Sequence, residues 1–193
     1  TPYWIGNYAF RNCTSLTTVD LYDASSGAVT ESAAGTAALP AGLTYLGAHS
    51  FENTAIREVT IPRGVTESLT AMFSGCTKLE KVALHDALGN IEEEMFMNCS
   101  NLKTVQYMTA ENVLCGEDNA VTLPGSITEI ADNAFNGTGV KKVYIPATVT
   151  KAGDYLFANC AQLATVVLDD ALTEIAPYMF DNTPALTTVQ TYT

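Results

Sequence analysis

Positive charge is scarce in this chain. Nine Lys and Arg stand against 21 Asp and Glu in 193 residues, a formal net charge of −12. Nucleic acid and anionic membranes are gripped by clustered positive charge, so both are poor partners and neither is expected. Long apolar runs are also missing. None approaches the roughly 20 residues that a bilayer-spanning helix needs, and a membrane-embedded chain is not expected. The chain opens Thr1-Pro2-Tyr3-Trp4-Ile5, with no basic start, apolar stretch or initiator Met. It reads as a fragment or processed form of a longer protein, without a signal peptide of its own. The five cysteines include no C-x-x-C pair, and neither His lies at metal-ligand spacing from a Cys. An odd count argues against a closed disulfide framework, and the spacing argues against zinc. Charged residues make up only 16% and hydrophobic ones 47%. That balance excludes disorder and allows a large core.

What the chain has in abundance is repetition. One phrase recurs seven times, irregular at the start of its third copy and cut short in its seventh: an aliphatic residue, Phe five positions on, Asn or Gly, Cys or Thr, then Leu-x-x-Val-x-Leu. All seven Phe residues fill one column, at Phe10, Phe51, Phe73, Phe96, Phe135, Phe157 and Phe180. The basic unit is 22–23 residues, and the spacings of 41 after Phe10 and 39 after Phe96 mark two inserts. Phe51 to Phe135, Phe73 to Phe157 and Phe96 to Phe180 are each 84 apart, which points to duplication of a three-repeat block.

The phrase has a physical reading. Leu-x-x-Val-x-Leu ends in alternation, so Val19 and Leu21 point inward and Thr18 and Asp20 outward on a short strand. Stacked copies then build a parallel sheet. Ile91, Met95 and Cys99 lie at helical spacing, which predicts a helical turn packing Phe96 beneath the sheet. Pro62, Pro124 and Pro146 follow strand-like triplets and are expected to end strands.

The phrases IGNYAFRNCTSLTTVDL (5–21), IEEEMFMNCSNLKTVQY (91–107) and IADNAFNGTGVKKVYIP (130–146) resemble the BspA-like, or Treponema-type, leucine-rich repeats. The resemblance covers nearly the whole chain. It implies an α/β fold, a right-handed leucine-rich-repeat solenoid. Each 22–23-residue coil carries one short parallel strand, with short helical turns opposite. Residues 1–193 are then one domain of seven repeats, with inserts at about 22–38 and 107–120. It also implies a secreted or surface-anchored bacterial protein, and adhesion or host interaction as the activity. The motif carries fold positions only, so no functional residue comes with it. Neither end shows the polar cap that solenoids normally need. Tyr3 and Trp4 are candidates to cover one of them.

Each potentially reactive group has a bland explanation. Cys13, Cys76, Cys99 and Cys160 share a column with Thr54, Thr138 and Thr183, so they read as small buried filler. Cys115 falls outside the register and is the one thiol worth testing for reactivity. Asn12, Asn53, Asn98, Asn159 and Asn182 read as turn residues whose amides bond backbone groups. His49 and His85 have no triad around them. Glu92, Glu93 and Glu94 read as a solvated helix start, complementing its dipole. Asp169 and Asp170 match a repeated turn. The second insert holds Glu111, Glu117 and Asp118 without EF-hand spacing.

Two features remain as candidate ligand contacts. Lys142 and Tyr144 are the best patch on the outward strand columns, which are the family's usual binding surface. The inserts are the other, represented by Tyr22, Asp23, Tyr107 and Glu111, because insertions in a solenoid tend to gather on one face. The expected function is a non-catalytic, adhesin-like binding module, outside the cell or on its surface. Its partner is a protein or glycan, for instance host matrix, and no cofactor is expected. The alternative is a structural spacer that displays another domain. The oligomeric state is not legible.

Overall fold

A computed structural model describes residues 3–23, 26–66, 69–169 and 171–191. It is a β-solenoid of short strands, and the described residues contain no helix. In chain order the strands are β1 (Tyr3–Ile5), β2 (Leu21–Asp23), β3 (Ala28–Thr30), β4 (Thr36–Ala37), β5 (Leu43–Leu46), β6 (Glu58–Thr60), β7 (Lys81–His85) and β8 (Asn90–Ile91). They continue as β9 (Thr104–Met108), β10 (Leu114–Cys115), β11 (Val121–Thr122), β12 (Glu129–Ile130), β13 (Lys142–Ile145), β14 (Lys151–Ala152), β15 (Thr165–Leu168) and β16 (Thr188–Thr191).

The main sheet runs β4-β6-β7-β9-β11-β13-β15-β16, all parallel, and Val19 extends it through a bridge to Ala37. Its register follows the Val column: Val59 pairs Val82, Val82 pairs Val105, Val143 pairs Val166, and Val166 pairs Val189. Val59, Val82, Val105, Val143 and Val166 are buried, so the expected inward alternation holds. Pro62, Pro124 and Pro146 do follow strand ends. Each opens a turn closed by the amide three residues on, at Val65, Ile127 and Val149.

The Phe column is the spine. Phe51, Phe73, Phe96, Phe135 and Phe157 are fully buried, while Phe10 and Phe180, on the end coils, are partly exposed. Successive rings lie 5.1–6.1 Å apart, mostly stacked. Burying each ring stabilises the fold by roughly 2–3 kcal/mol, and each ring–ring pair adds roughly 0.5–1.5 kcal/mol.

The segment carrying Phe is not helical, and this corrects the helical turns and the α/β class expected above. Two residues per coil, at Phe minus two and Phe plus two, have left-handed backbone. Examples are Glu94 (φ 54) with Asn98 (φ 61), and Tyr155 (φ 55) with Asn159 (φ 58). A helix cannot pass through such residues. The amides instead alternate in their use. Those of Met72, Ser74 and Cys76 close turns within the coil, onto Leu69, Ala71 and Phe73. Those of Ala71, Phe73 and Gly75 donate to carbonyls of Glu93, Met95 and Met97 in the next coil. Tandem turns repeat their inward positions about every four residues, so Ile91, Met95 and Cys99 mimic a helical stripe. With no helix present, the dipole explanation for Glu92–Glu94 also falls. These residues simply line the half-exposed ribbon.

The ribbon explains two columns. The left-handed position after Phe takes Asn, or Gly at Gly75 (φ 71) and Gly137 (φ 73), the residues that reach this conformation most cheaply. Several amides bond one another between coils rather than backbone: Asn53 donates to Asn12 at 2.8 Å and Asn182 to Asn159 at 2.9 Å. The next position needs a small donor for the Phe carbonyl. Thr54 and Thr138 donate to Phe51 and Phe135 of their own coil. Cys76, Cys99 and Cys160 donate to the Phe of the preceding coil at 3.0–3.1 Å. Burial pushes these three thiols above the ordinary value, which fits filler rather than nucleophiles. Cys13, on the first described coil, is exposed. Trp4 does not cap that end. It is 71% exposed.

Both inserts have the same construction. Each forms an antiparallel hairpin, β2–β3 or β9–β10, then returns one short strand, β4 or β11, to the main sheet. Neither return strand brings a Phe turn. Phe10 meets Phe51 at 5.1 Å and Phe96 meets Phe135 at 5.3 Å, with no gap opposite the insert. The sheet therefore has two more rungs than the Phe stack, and the strand side is the longer side of the solenoid.

Two stability outcomes follow. Phe96→Ala should cost roughly 3–5 kcal/mol in urea unfolding, and Phe10→Ala, on the open end, clearly less. Equal costs would show that burial in the stack is not what stabilises the column. At the left-handed position, Asn98→Gly should be near neutral while Asn98→Val costs roughly 1–2 kcal/mol or more. Equal tolerance of Val would remove the conformational explanation for the Asn/Gly column.

Candidate functional site

The second insert folds over the outward face of the sheet. Gln106 Nε2 donates to the Gly116 carbonyl at 3.0 Å, and the Asn119 amide donates to Thr104 Oγ1 at 3.0 Å. Lys81 reaches Asp118 and Lys142 reaches Glu117, both at 3.5 Å. Ala83 and Gln106 are buried although they belong to the outward column. The middle of the expected binding surface is thus covered by the chain itself. Two of the acidic residues in the second insert, Glu117 and Asp118, are partnered by lysines.

Lys142 and Tyr144 are brought together as expected, and both are already engaged. The ammonium lies 4.5 Å from the ring centroid, and the phenol donates to Glu117 Oε2 at 3.2 Å. The Tyr144 phenol, with Glu117, holds Lys142 above the ordinary lysine range. Tyr107 is half-buried in β9, opposite Cys115 of β10. Burial, then the neighbouring thiol, raises its phenol above the ordinary value. Glu111 is exposed at the hairpin tip. The backbone of Tyr22 and Asp23 pairs with β3, while their side chains lie outside the described residues, as does Asp170. Of the four candidates whose side chains are described, Lys142 and Tyr144 are the pair in contact.

A pocket does join the two inserts, at a place the sequence reading did not mark. It measures about 470 Å³ and sits at the C-terminal ends of β4, β6, β7 and β9. Ala37 and Leu39 come from the first insert and its exit; Ile61 and Pro62 make the floor; Met108 and Ala110 from the second insert make the far wall. Ala37, Leu39 and Ile61 are nearly fully buried. Arg63 pairs with Asp86, which also accepts the Ala110 amide at 3.0 Å, so the far wall is tied to the corner.

His85 is the fixed point of this corner and is only 2% exposed. Its Nδ1 accepts the Ala87 amide at 3.2 Å, which leaves Nε2 to donate to the Val65 carbonyl at 2.8 Å. Both backbone partners thus select the neutral Nε2–H ring. Burial lowers its pKa from 6.5, and the nearby Arg63 charge adds to this, against opposing effects of the Val65 carbonyl and Asp86. His49 is engaged elsewhere, with Glu52 at 2.7 Å and stacked on Tyr8. Among the described residues no group of three or more His, Cys, Asp or Glu converges to hold a metal, and no helix is long and apolar enough to cross a membrane.

One sequence signal could have found the corner. Pro40, Pro62, Pro124 and Pro146 each begin a Pro-x-x-aliphatic-Thr turn, and His85 starts the corresponding turn of its own coil. A histidine in a proline column is a local exception.

The BspA type leucine rich repeat region matches in six copies, over residues 2–33, 25–118 and 113–193. The chain belongs to this family, and it is a leucine-rich-repeat domain of the BspA type. Two solved structures share the fold. One is a leucine-rich repeat protein of Bacteroides ovatus, with a TM-score of 0.61 and 23% identity over 98% of this chain. This chain spans 58% of that protein's length. The other is the leucine rich repeat protein of Treponema pallidum, with a TM-score of 0.61 and 20% identity, covering 89% of this chain and 78% of that one. No curated protein matches the sequence significantly.

The His85 geometry has a pH consequence. Its folded-state pKa is depressed, so the unfolded chain takes up the proton more readily. The stability it contributes is complete above about pH 6.5 and is lost as pH falls below that towards the folded value. Urea midpoints should drop between about pH 7.5 and pH 5.5, and His85→Gln should flatten the drop. Parallel slopes for the two chains would place the titrating group elsewhere.

Proposed function

We propose that this domain is a non-catalytic binding module of a secreted or cell-surface bacterial protein, and that it recognises a protein or glycan partner. The observation that carries this reading is the pocket between the inserts. Two segments about 70 residues apart in the chain leave the repeat register and meet around one concave, largely apolar hollow held by fixed corners. Ligand sites have this character: mainly apolar walls with a few placed polar groups, in a size range of roughly 300–1,000 Å³. Family membership supports the extracellular placement. The net charge of −12 favours basic partners over acidic ones. The spacer reading has its own support in the open ends, where Trp4, Tyr8, Ile175, Tyr178 and Val189 expose apolar surface that further repeats would cover.

Surface binding to immobilised matrix proteins and to a glycan array tests the reading, with the intact chain beside one whose residues 109–113 are replaced by a two-residue turn. Binding in the micromolar range, weakened at least about tenfold by the replacement, is the expected result. Silence across both arrays at high micromolar concentration would favour the spacer.

A further inference from the structure

The duplication supplies an internal comparison for the pocket. Positions 84 residues apart correspond, so Leu39, Ile61 and Pro62 in the first copy match Leu123, Ile145 and Pro146 in the second. These residues line the pocket of about 470 Å³ in the first copy and a shallower hollow of about 340 Å³ in the second. The floor is the same, but what stands on it differs. Thr60 in the first copy corresponds to Tyr144, and Glu58 corresponds to Lys142.

In the second copy the chain supplies a ring to its own hollow. The Tyr144 ring stands beside Leu123, Ile145 and Pro146, and Lys142, two residues earlier on the same strand, sits 4.5 Å from the ring centroid. In the first copy both parts are missing. Thr60 leaves the ring position empty, and an exposed carboxylate, Glu58, takes the place of the ammonium. The pocket therefore has no Phe, Tyr or Trp ring, and its one charged lining residue, Arg63, is paired with Asp86. The exposed Glu58 next to it on β6 offers a negative charge to a cation two strand positions from Thr60. Among the described residues no Phe, Tyr or Trp lines the pocket, and the His85 ring is only 2% exposed, so the pocket gives a sugar ring no flat face to stack on.

We propose that this pocket binds an extended segment of a partner polypeptide carrying a Lys or Arg two residues from an aromatic side chain. The ring inserts over Leu39, Ile61 and Pro62, and the cation pairs with Glu58. Aromatic anchors in preformed pockets are the groups that dominate protein recognition. An acidic chain with net charge −12 steers a basic segment towards itself. The proposal rests on the reading of this domain as a binding module, and it selects protein over glycan as the partner.

The test follows methyl resonances of Leu39, Ile61 and Met108 in the full chain while the tripeptide Ac-Lys-Ala-Tyr-NH2 is added. Saturable shifts at these methyls with a Kd of about a millimolar are expected. Thr60→Tyr, which installs the ring of the second copy, should weaken binding at least about tenfold, and Glu58→Lys at least about threefold at low salt. Absence of shifts at these methyls up to about 20 mM peptide, or shifts unchanged by Thr60→Tyr, would overturn the proposal. So would equal binding of Ac-Glu-Ala-Tyr-NH2, or cellobiose moving the same methyls instead. A failed titration beside positive array binding removes only this ligand assignment. A positive titration beside silent arrays keeps it and narrows the partner to proteins outside the array.

Discussion

No coil of this solenoid can bury its own phenylalanine. Each ring is covered only when the next coil lays its ring about 5–6 Å away, and each turn ribbon satisfies half its amides only on its neighbour's carbonyls. Both requirements act between coils and point along the solenoid axis. Stability is therefore a property of stacking, as expected of repeat architectures. The end coils show the consequence, since Phe10 and Phe180 carry the same residue as the centre without the same burial.

The same ribbon sets the residue choice around each Phe. Left-handed backbone after the ring calls for Asn or Gly. The carbonyl of Phe calls for a short donor, and Thr and Cys answer in different ways, Thr within its coil and Cys across to the preceding one. A column that mixes hydroxyl and thiol thus has one structural task. None of this requires chemistry of the cysteines.

The inserts alter the strand side without touching the spine. Each adds a rung to the sheet while the rings opposite stay in contact, so binding features can diverge on one side at little cost to the core. Divergence is visible between the two copies. A common floor of Leu, Ile and Pro carries Tyr144 and Lys142 in one and Thr60 and Glu58 in the other. A second-insert segment, held by Lys81 and Lys142, covers the centre of the sheet and leaves the rim open.

Much of this architecture was legible from the residues alone. The period, the Phe spine, the inward Val column, the strand-ending prolines and the duplication all follow from local pattern, because burial repeats with the coil. The helical turn was misread, since a stripe recurring every four residues is compatible with a helix and with tandem turns. Only the intercoil hydrogen bonds and the left-handed residues separate the two. The candidate site was less legible. Tyr144 and Lys142 stood out as exposed chemistry, yet tertiary contact binds them to Glu117. The pocket stayed hidden because it is assembled from Ala37, Ile61, His85 and Met108, residues on four different strands or their exits, of which only His85 had drawn notice, and that for a triad it does not have. Sequence determined the repeat, because each coil's burial is written in its own residues. Tertiary structure decided the site, because its walls come from segments brought together only when the coils stack.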